Sequence, residues 1–401
     1  MRILFLNQYF PPDATNTAYL LGQLCEDLAR DHEVLVLAGR PSYNPEASTY
    51  RPAGVQVRHT WSTSFSRAGM AGRLLNYATY LVSALLTASR VPKPDAVVAL
   101  TDPPVIGVIG LMAARRHHVP LVQVYMDIYP DVGVALKRAD NPLLVWAWRR
   151  LNRAVRSGAA GVVAIGRDMR EKLQREGVDP AKIALIPNWA DEPVVGPERA
   201  AQVRAAMGWT DRFVVMHAGN AGLAQNLDVL LDAAQRLRDH LDILVAIVGD
   251  GAARQRLEQR ARVLDLPNVA FVPHVPKPEA ESLVAAADLH VISLAPGLRG
   301  CVVPSKLYGI LAAGKPFIAA VEPRSEIAIL VAETRCGVVV NPGDAGGLAN
   351  AILRVHEHPD PHMGEAGRRA YQTEYQRDRA TRAYADLLVG LTSSASARAS
   401  F

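Results

Sequence analysis

At 401 residues the chain is too long for one ordinary domain and long enough to bury more than one core without staples. Its three cysteines, Cys25, Cys301 and Cys336, match neither metal-ligand nor redox spacing, in keeping with a reducing, cytoplasmic setting. The net charge of +5 is uneven: residues 1–189 carry 22 Lys and Arg against 15 Asp and Glu, and the remainder carries 22 against 24. A basic first half suits an anionic partner or is simply an Arg-rich solvated surface, but without aromatic interleaving or a recognised module it does not describe a nucleic-acid binder.

In chain order, residues 2–6 are an apolar run stopped by Asn7 and Pro11-Pro12, the pattern of a buried parallel strand. With no cationic stretch ahead of a long apolar core and no cleavage site, this start is not read as a signal peptide. Leu20, Leu21, Leu24 and Leu28 recur at helical spacing over residues 15–30, and residues 33–38 form a second strand. Further strands are predicted over 54–59, 95–100, 120–125, 161–165 and 183–186. Helices are predicted over 71–90, from the Thr101-Asp102-Pro103-Pro104 turn to about 116, over 143–157 and over 167–176. The same turn interrupts the most apolar region, 96–112, which is too short for a membrane span.

Residues 191–197 are Pro-rich and acidic and read as a linker. A second series follows, with strands from 213 and over 242–249, 269–272, 290–294 and 316–320. Its helices are predicted over 226–239, 252–264, 278–287, 306–313 and 326–333. Residues 363–390 are helical, and 392–401 form a Ser/Ala-rich, frayed tail. Two α/β series in succession imply two doubly wound, Rossmann-like domains facing across a cleft. The domains are placed at 1–190 and 191–375, with a helix over 376–391 returning to the first domain and a flexible tail at 392–401.

Several segments carry chemistry. The turn Pro11 to Thr17 follows a strand and opens a helix, where free amides attract anions and where doubly wound sheets bind ligands. The plain alternative is an N-cap by Thr15 or Asn16. There is no G-x-G-x-x-G, which counts against a classical dinucleotide fold. In His217-Ala218-Gly219-Asn220-Ala221-Gly222, Gly219 and Gly222 allow close approach of backbone to a phosphate. In Arg299 to Lys306, Ser305 is a good N-cap. A Lys in the first turn opposes the helix dipole unless an anion binds there too. Asp127, at the end of a strand, is placed to orient a hydroxyl or act as a base, or else to cap its own turn. Residues 70–90 form an apolar helix with basic ends, either core or lipid-facing.

Taken in order, these segments resemble the retaining glycosyltransferases of family 4, the group 1 glycosyl transferases, α/β enzymes of GT-B fold. The resemblance runs from NQYFPPDATNTAYLLGQLCEDLA and YMDIYPD through IPNWAD, HAGNAGLAQNLDVLLDA, IVGDG and FVPHVPKPE to VPSKLYGILAAGKPFIAA, SEIA and MGEAGRRA. The subgroup it is most similar to comprises bacterial exopolysaccharide, capsule and O-antigen enzymes that transfer amino- or deoxysugars to lipid-linked acceptors. The resemblance implies that Gly219 and Asn220 lie near the donor diphosphate and that Lys306 binds it, with Ser305 and Arg299 assisting. The loop at His274 and Val275 meets the base, and Thr15, Asn16 and Thr17 cover the diphosphate from the other domain. Asp127 faces the sugar or the acceptor, and Glu326 sits near the ribose or is structural. Many members carry two glutamates at positions that here are Cys301 and Gly309, and the usual Arg and Lys pair of the second domain is absent at residues 223–226.

The implied reaction moves a sugar from a nucleoside-diphosphate sugar, with a UDP-sugar favoured, to a glycan, lipid-linked or small-molecule acceptor in bacterial polysaccharide synthesis. No Asp-x-Asp motif is present, so neither a metal nor another cofactor is required. The alternatives are a GT-B sugar-nucleotide epimerase, which would convert donor with no acceptor, and a non-catalytic sugar-nucleotide-binding partner subunit. The expected location is cytoplasmic, with peripheral contact at an anionic membrane.

Overall fold

A computed structural model describes residues 1–41, 49–63, 65, 70–193 and 195–399. The chain forms two compact units. One comprises Met1–Val134, Ala139–Pro187 and Asp378–Phe401, and the other Ala135–Arg138 and Asn188–Arg377.

In the first unit, strands β1 (Arg2–Leu6), β2 (Glu33–Ala38), β3 (Gln56–His59), β4 (Ala96–Ala99), β5 (Leu121–Tyr125), β6 (Gly161–Ala164) and β7 (Ile183–Leu185) form a seven-stranded sheet in the order β3-β2-β1-β4-β5-β6-β7. Every pairing is parallel, with Leu4 opposite Leu35 on one side and Val97 on the other. Ile3 to Leu6 and Ala96 to Ala99 are wholly buried, as strands covered on both faces must be. The order reverses between β1 and β4, the point beyond whose carboxyl ends such sheets bind ligands. There Asn7, wholly buried, ties the two strand ends together. Its Oδ1 accepts from Asp102 N at 3.2 Å, and Gln8 N donates to Asp102 O at 2.7 Å.

The second unit repeats the plan with β8 (Phe213–Ala218), β9 (Ile243–Val248), β10 (Val269–Val272), β11 (Leu289–Ser293), β12 (Phe317–Ala320) and β13 (Gly337–Val340). Their order, β10-β9-β8-β11-β12-β13, reverses between β8 and β11. One face packs Val215, Val245, Ile247, Leu289 and Val291 against Leu230, Leu231 and Leu257 of the covering helices.

Several boundaries differ from the sequence reading, for local reasons. The helix expected over 226–239 is Asp228–Arg236, because Asn226 takes a left-handed φ of 45°. Strand β13 and helices Pro197–Ala206 and Ala345–Glu357 were not anticipated. The single helix expected over 363–390 is two, Pro361–Glu374 and Arg377–Ala399, and the second runs through most of the stretch read as a frayed tail. The acidic residues of the expected linker are engaged within the second unit: Asp191 pairs with Lys277 and Glu192 with Arg368.

Close backbone packing fixes the loops at the end of the second sheet. Gly249 has φ +117°, and a Cβ there would lie 2.3 Å from the Gly219 carbonyl oxygen. Gly177 also has positive φ, +86°, but a Cβ there meets open space. Gly249→Ala should therefore lower the unfolding free energy by about 3–4 kcal/mol and Gly177→Ala by about 1–2 kcal/mol. Urea midpoints of the two variants measure the difference.

Candidate functional site

In the second unit, the residues after β8 and β11 converge at the switch point. His217, the penultimate residue of β8, is fully buried. Its Nδ1 lies 3.3 Å from Val291 O and its Nε2 lies 3.2 Å from Lys306 Nζ. Burial first, and the charge of Lys306 second, hold this imidazole well below its usual pKa, so it is neutral. The Val291 carbonyl faces Nδ1, the Lys306 amine faces Nε2, and the Asn220 backbone also lies within hydrogen-bonding reach of the ring. In the tautomer whose Nδ1–H donates to Val291 O, Nε2 accepts from the Lys306 amine. Desolvation alone lowers Lys306 to about 7, so its charge is poised at neutrality.

Gly219 sits above this pair. Its φ is +125°, and a Cβ there would meet only Lys306 Cε, at 3.5 Å. Glycine thus leaves room beside the amine. Three amides of the loop are, however, already paired. Gly219 N donates to Val248 O at 2.9 Å, Ala221 N to Asp250 O at 2.9 Å, and Gly222 N to Gln225 Oε1 at 3.1 Å. Gly219 supplies room beside the Lys306 amine, whereas a Cβ at Gly222 would meet Gln225 and Asn220 of the same loop. Asn220 is exposed, packed against the Gly249–Gly251 turn.

Ser305 does not cap. It has helical angles, φ −63° and ψ −22°, and its side chain makes no cap hydrogen bond. The helix it precedes, Lys306–Ala312, has only seven residues. A residue already in the helical region cannot direct its oxygen back to the first-turn amides. Cys301 is buried, whereas a Cβ on Gly309 would meet nothing within 4 Å, so one of the two acid positions is closed and the other open.

The remaining residues of this unit are placed as follows. His274 is exposed, with its backbone N donating to Asp250 Oδ2 at 3.3 Å, while Val275 is half-buried against Val272 and Leu283 of the core. Arg299 is half-buried, and its loop is anchored by Glu322, whose Oε2 accepts from Gly297 N and Arg299 N, each at 3.0 Å. Glu326 is buried in the first turn of helix Glu326–Thr334, which Ser325 caps. His217 and Glu322 are the residues that sequence reasoning missed. One lies inside an apolar strand and the other directly before Pro323 in the turn after β12, and their partners are far along the chain.

In the first unit, Thr15 fills the N-cap role: its Oγ1 accepts from Ala18 N at 3.1 Å. Asn16 and Thr17 begin the helix it caps, Asn16 exposed and Thr17 half-buried. Asp127 follows β5 and is half-buried. Burial, and then the nearby Asp102 carboxylate, push its carboxyl up to about 7. An acid held near neutrality can accept or donate a proton in turn.

Two all-parallel, doubly wound units in one chain are the parts of a GT-B fold. The fold agrees with that of HepE from Anabaena, solved in complex with UDP, at a TM-score of 0.77 and 19% identity over 98% of this chain and 100% of that one. The family follows from the sequence. The family model "Glycosyl transferase 4-like domain" matches residues 17–189, and "Glycosyl transferases group 1" matches residues 212–358. The chain belongs to this glycosyltransferase family and is a sugar-transferring enzyme. It is similar to WbjE of Pseudomonas aeruginosa, named as a glycosyltransferase, with 28% identity over 75% of both chains. It is also similar to WcaI of Escherichia coli K12, named for colanic acid biosynthesis, with 27% identity over 85% of this chain and 88% of that one.

Two consequences can be measured. His217→Phe removes the acceptor for the Lys306 amine while filling the space. It should raise the donor KM on the order of tenfold, with His217→Gln recovering part of the loss. For Asp127, a folded-state pKa above the unfolded one means that the folded protein holds a proton the unfolded chain releases. Its contribution to stability is complete below about pH 4 and is lost as pH rises through about 7. Asp127→Asn should leave stability unchanged near pH 4 and raise it on the order of 1–2 kcal/mol near pH 8, after discounting for solvent screening. Thermal unfolding at the two pH values gives the comparison.

Proposed function

We propose that the protein is a retaining glycosyltransferase that takes its sugar from a nucleoside-diphosphate sugar, a UDP-sugar in preference. The sugar passes to a glycan or lipid-linked acceptor in bacterial polysaccharide biosynthesis. The observation that carries this reading is the Lys306 amine, held 3.2 Å from neutral His217 beneath the space left by Gly219. An amine lowered to about 7 by desolvation gains a full charge when a diphosphate arrives beside it. The preference for UDP is supported by HepE, solved with UDP and with UDP-glucose. A role in polysaccharide assembly is supported by the naming of WcaI.

In this reading the bond between the sugar anomeric carbon and the β-phosphate oxygen breaks as the acceptor oxygen bonds to that carbon on the same face. The acceptor proton passes to the departing diphosphate, whose charge Lys306 offsets. Thr15, Asn16 and Thr17 approach the diphosphate, and the segment at His274 and Val275 meets the base. Arg299, Ser305 and Asn220 flank the phosphates, Glu326 supports the ribose side, and Asp127 faces the acceptor. The enzyme would work on the cytoplasmic side of the membrane. No metal is assigned a part.

Lys306→Ala should lose on the order of a hundredfold or more in turnover while keeping its melting temperature. The product should keep the donor's anomeric configuration, read from the proton coupling at the anomeric carbon. Wild-type turnover in Lys306→Ala, or an inverted product, would sink the assignment.

A further inference from the structure

Arg254 opens helix Arg254–Val263 of the second unit, and that first turn holds no acidic residue. A cation at this end opposes the helix dipole. Its side chain is nevertheless held from several sides and is only 13% exposed. Nη1 donates to Gly249 O at 2.5 Å and to Val272 O at 2.8 Å, and Nε donates to Glu258 Oε1 at 2.5 Å. The guanidinium also lies over the Phe271 ring, 5.0 Å from its centroid. The planar fork of an arginine can serve two carbonyls and a carboxylate together, which the compact charge of a lysine does less well.

The two carbonyls end neighbouring strands. Gly249 follows β9, Val272 closes β10, and Gly249 N donates to Val272 O at 3.0 Å. The turn that begins here packs on the loop after β8. A Cβ at Gly249 would lie 2.3 Å from the Gly219 carbonyl oxygen, and one at Gly251 would lie 2.4 Å from Asn220 Oδ1. Ala221 N donates to Asp250 O and Ala253 N to Ala221 O, each at 2.9 Å. The same turn also holds the loop after β10, since Asp250 Oδ2 accepts from His274 N at 3.3 Å. Residues 249–253 thus form a wedge between the loop at Gly219 and the loop at His274, and Arg254 fastens that wedge to the ends of β9 and β10.

We propose that Arg254 is a positioning residue, which holds the loop at His274 and Val275 at a fixed spacing from the loop at Gly219. Its consequence for binding rests on the function proposed above, in which the first loop meets the base and the second the diphosphate. Base and phosphates are joined in one ligand, so both halves engage together only when the two loops keep the matching spacing. Inorganic pyrophosphate carries no base and is indifferent to that spacing.

Three variants of the full chain test this. Arg254→Met keeps an apolar stem and removes the fork, and Arg254→Lys restores a charge without the fork. Arg256→Met is the control on the same helix, because both Nη atoms of Arg256 pair with Asp228, each at 2.6 Å. Without ligand, the His274 and Gly249 amides should exchange hydrogen on the order of tenfold faster in Arg254→Met, less so in Arg254→Lys, and as in wild type in Arg256→Met. Amides in the middle of β8 should not change. By calorimetry, the Kd for UDP should rise on the order of tenfold in Arg254→Met, with part of the loss recovered in Arg254→Lys. The Kd for inorganic pyrophosphate should stay at the wild-type value, whereas a merely destabilised domain would bind both ligands less well. Unchanged exchange at His274 and Gly249, or equal weakening of UDP and pyrophosphate, would overturn the proposal. A wild-type protein that binds no UDP would defeat the function proposed above, and the exchange rates would then decide by themselves whether Arg254 holds the loops.

Discussion

The contact between the Lys306 amine and the His217 imidazole is the constraint on which the switch point of the second unit depends. It joins residues 89 positions apart and exists only because β8 and β11 are neighbours where the strand order reverses. Burial makes the imidazole neutral, Val291 O faces one of its nitrogens, and the Lys306 amine faces the other. A charged histidine there would repel the amine. The same burial lowers Lys306 to about 7, so its charge responds to what binds beside it. Gly219 leaves the approach open, and Gly249 lets the adjoining turn stack directly on the Gly219 carbonyl.

The first unit uses a different device at its own reversal point. Asn7 joins the ends of β1 and β4 through Asp102, and the Asp102 carboxylate in turn helps to raise Asp127, which follows β5. The two units thus share a strand plan but not a chemistry. One presents a cation of adjustable charge, the other a carboxyl held near neutrality.

Much of the fold was legible because strands covered on both faces read as unbroken apolar runs, as in Ile3 to Leu6 or Ile243 to Val248. Strand β13 escaped because it is a short, half-buried edge strand, Gly337–Val340, bounded by no strong turn signal on its N-terminal side. Lys306 stood out from local reasoning, since a cation opening a helix asks for an explanation. His217 did not, because a histidine within FVVMHAG looks like a core residue until its distant partner is known. Ser305 illustrates the converse: residue type suggested a cap, and backbone angles decided otherwise. The glycines at 219 and 222 stand out in the sequence for close approach to a phosphate, but their amides are already committed to neighbouring acceptors. Spacing along a chain does not reveal where hydrogen bonds go.

In the proposed function Lys306 meets the donor diphosphate. The direct measurement is the titration of its Nζ by nitrogen NMR in lysine-labelled protein, first alone and then saturated with UDP. The amine should titrate at about 7 in the free protein and well above that with UDP bound. An unchanged titration in the presence of bound UDP would contradict it.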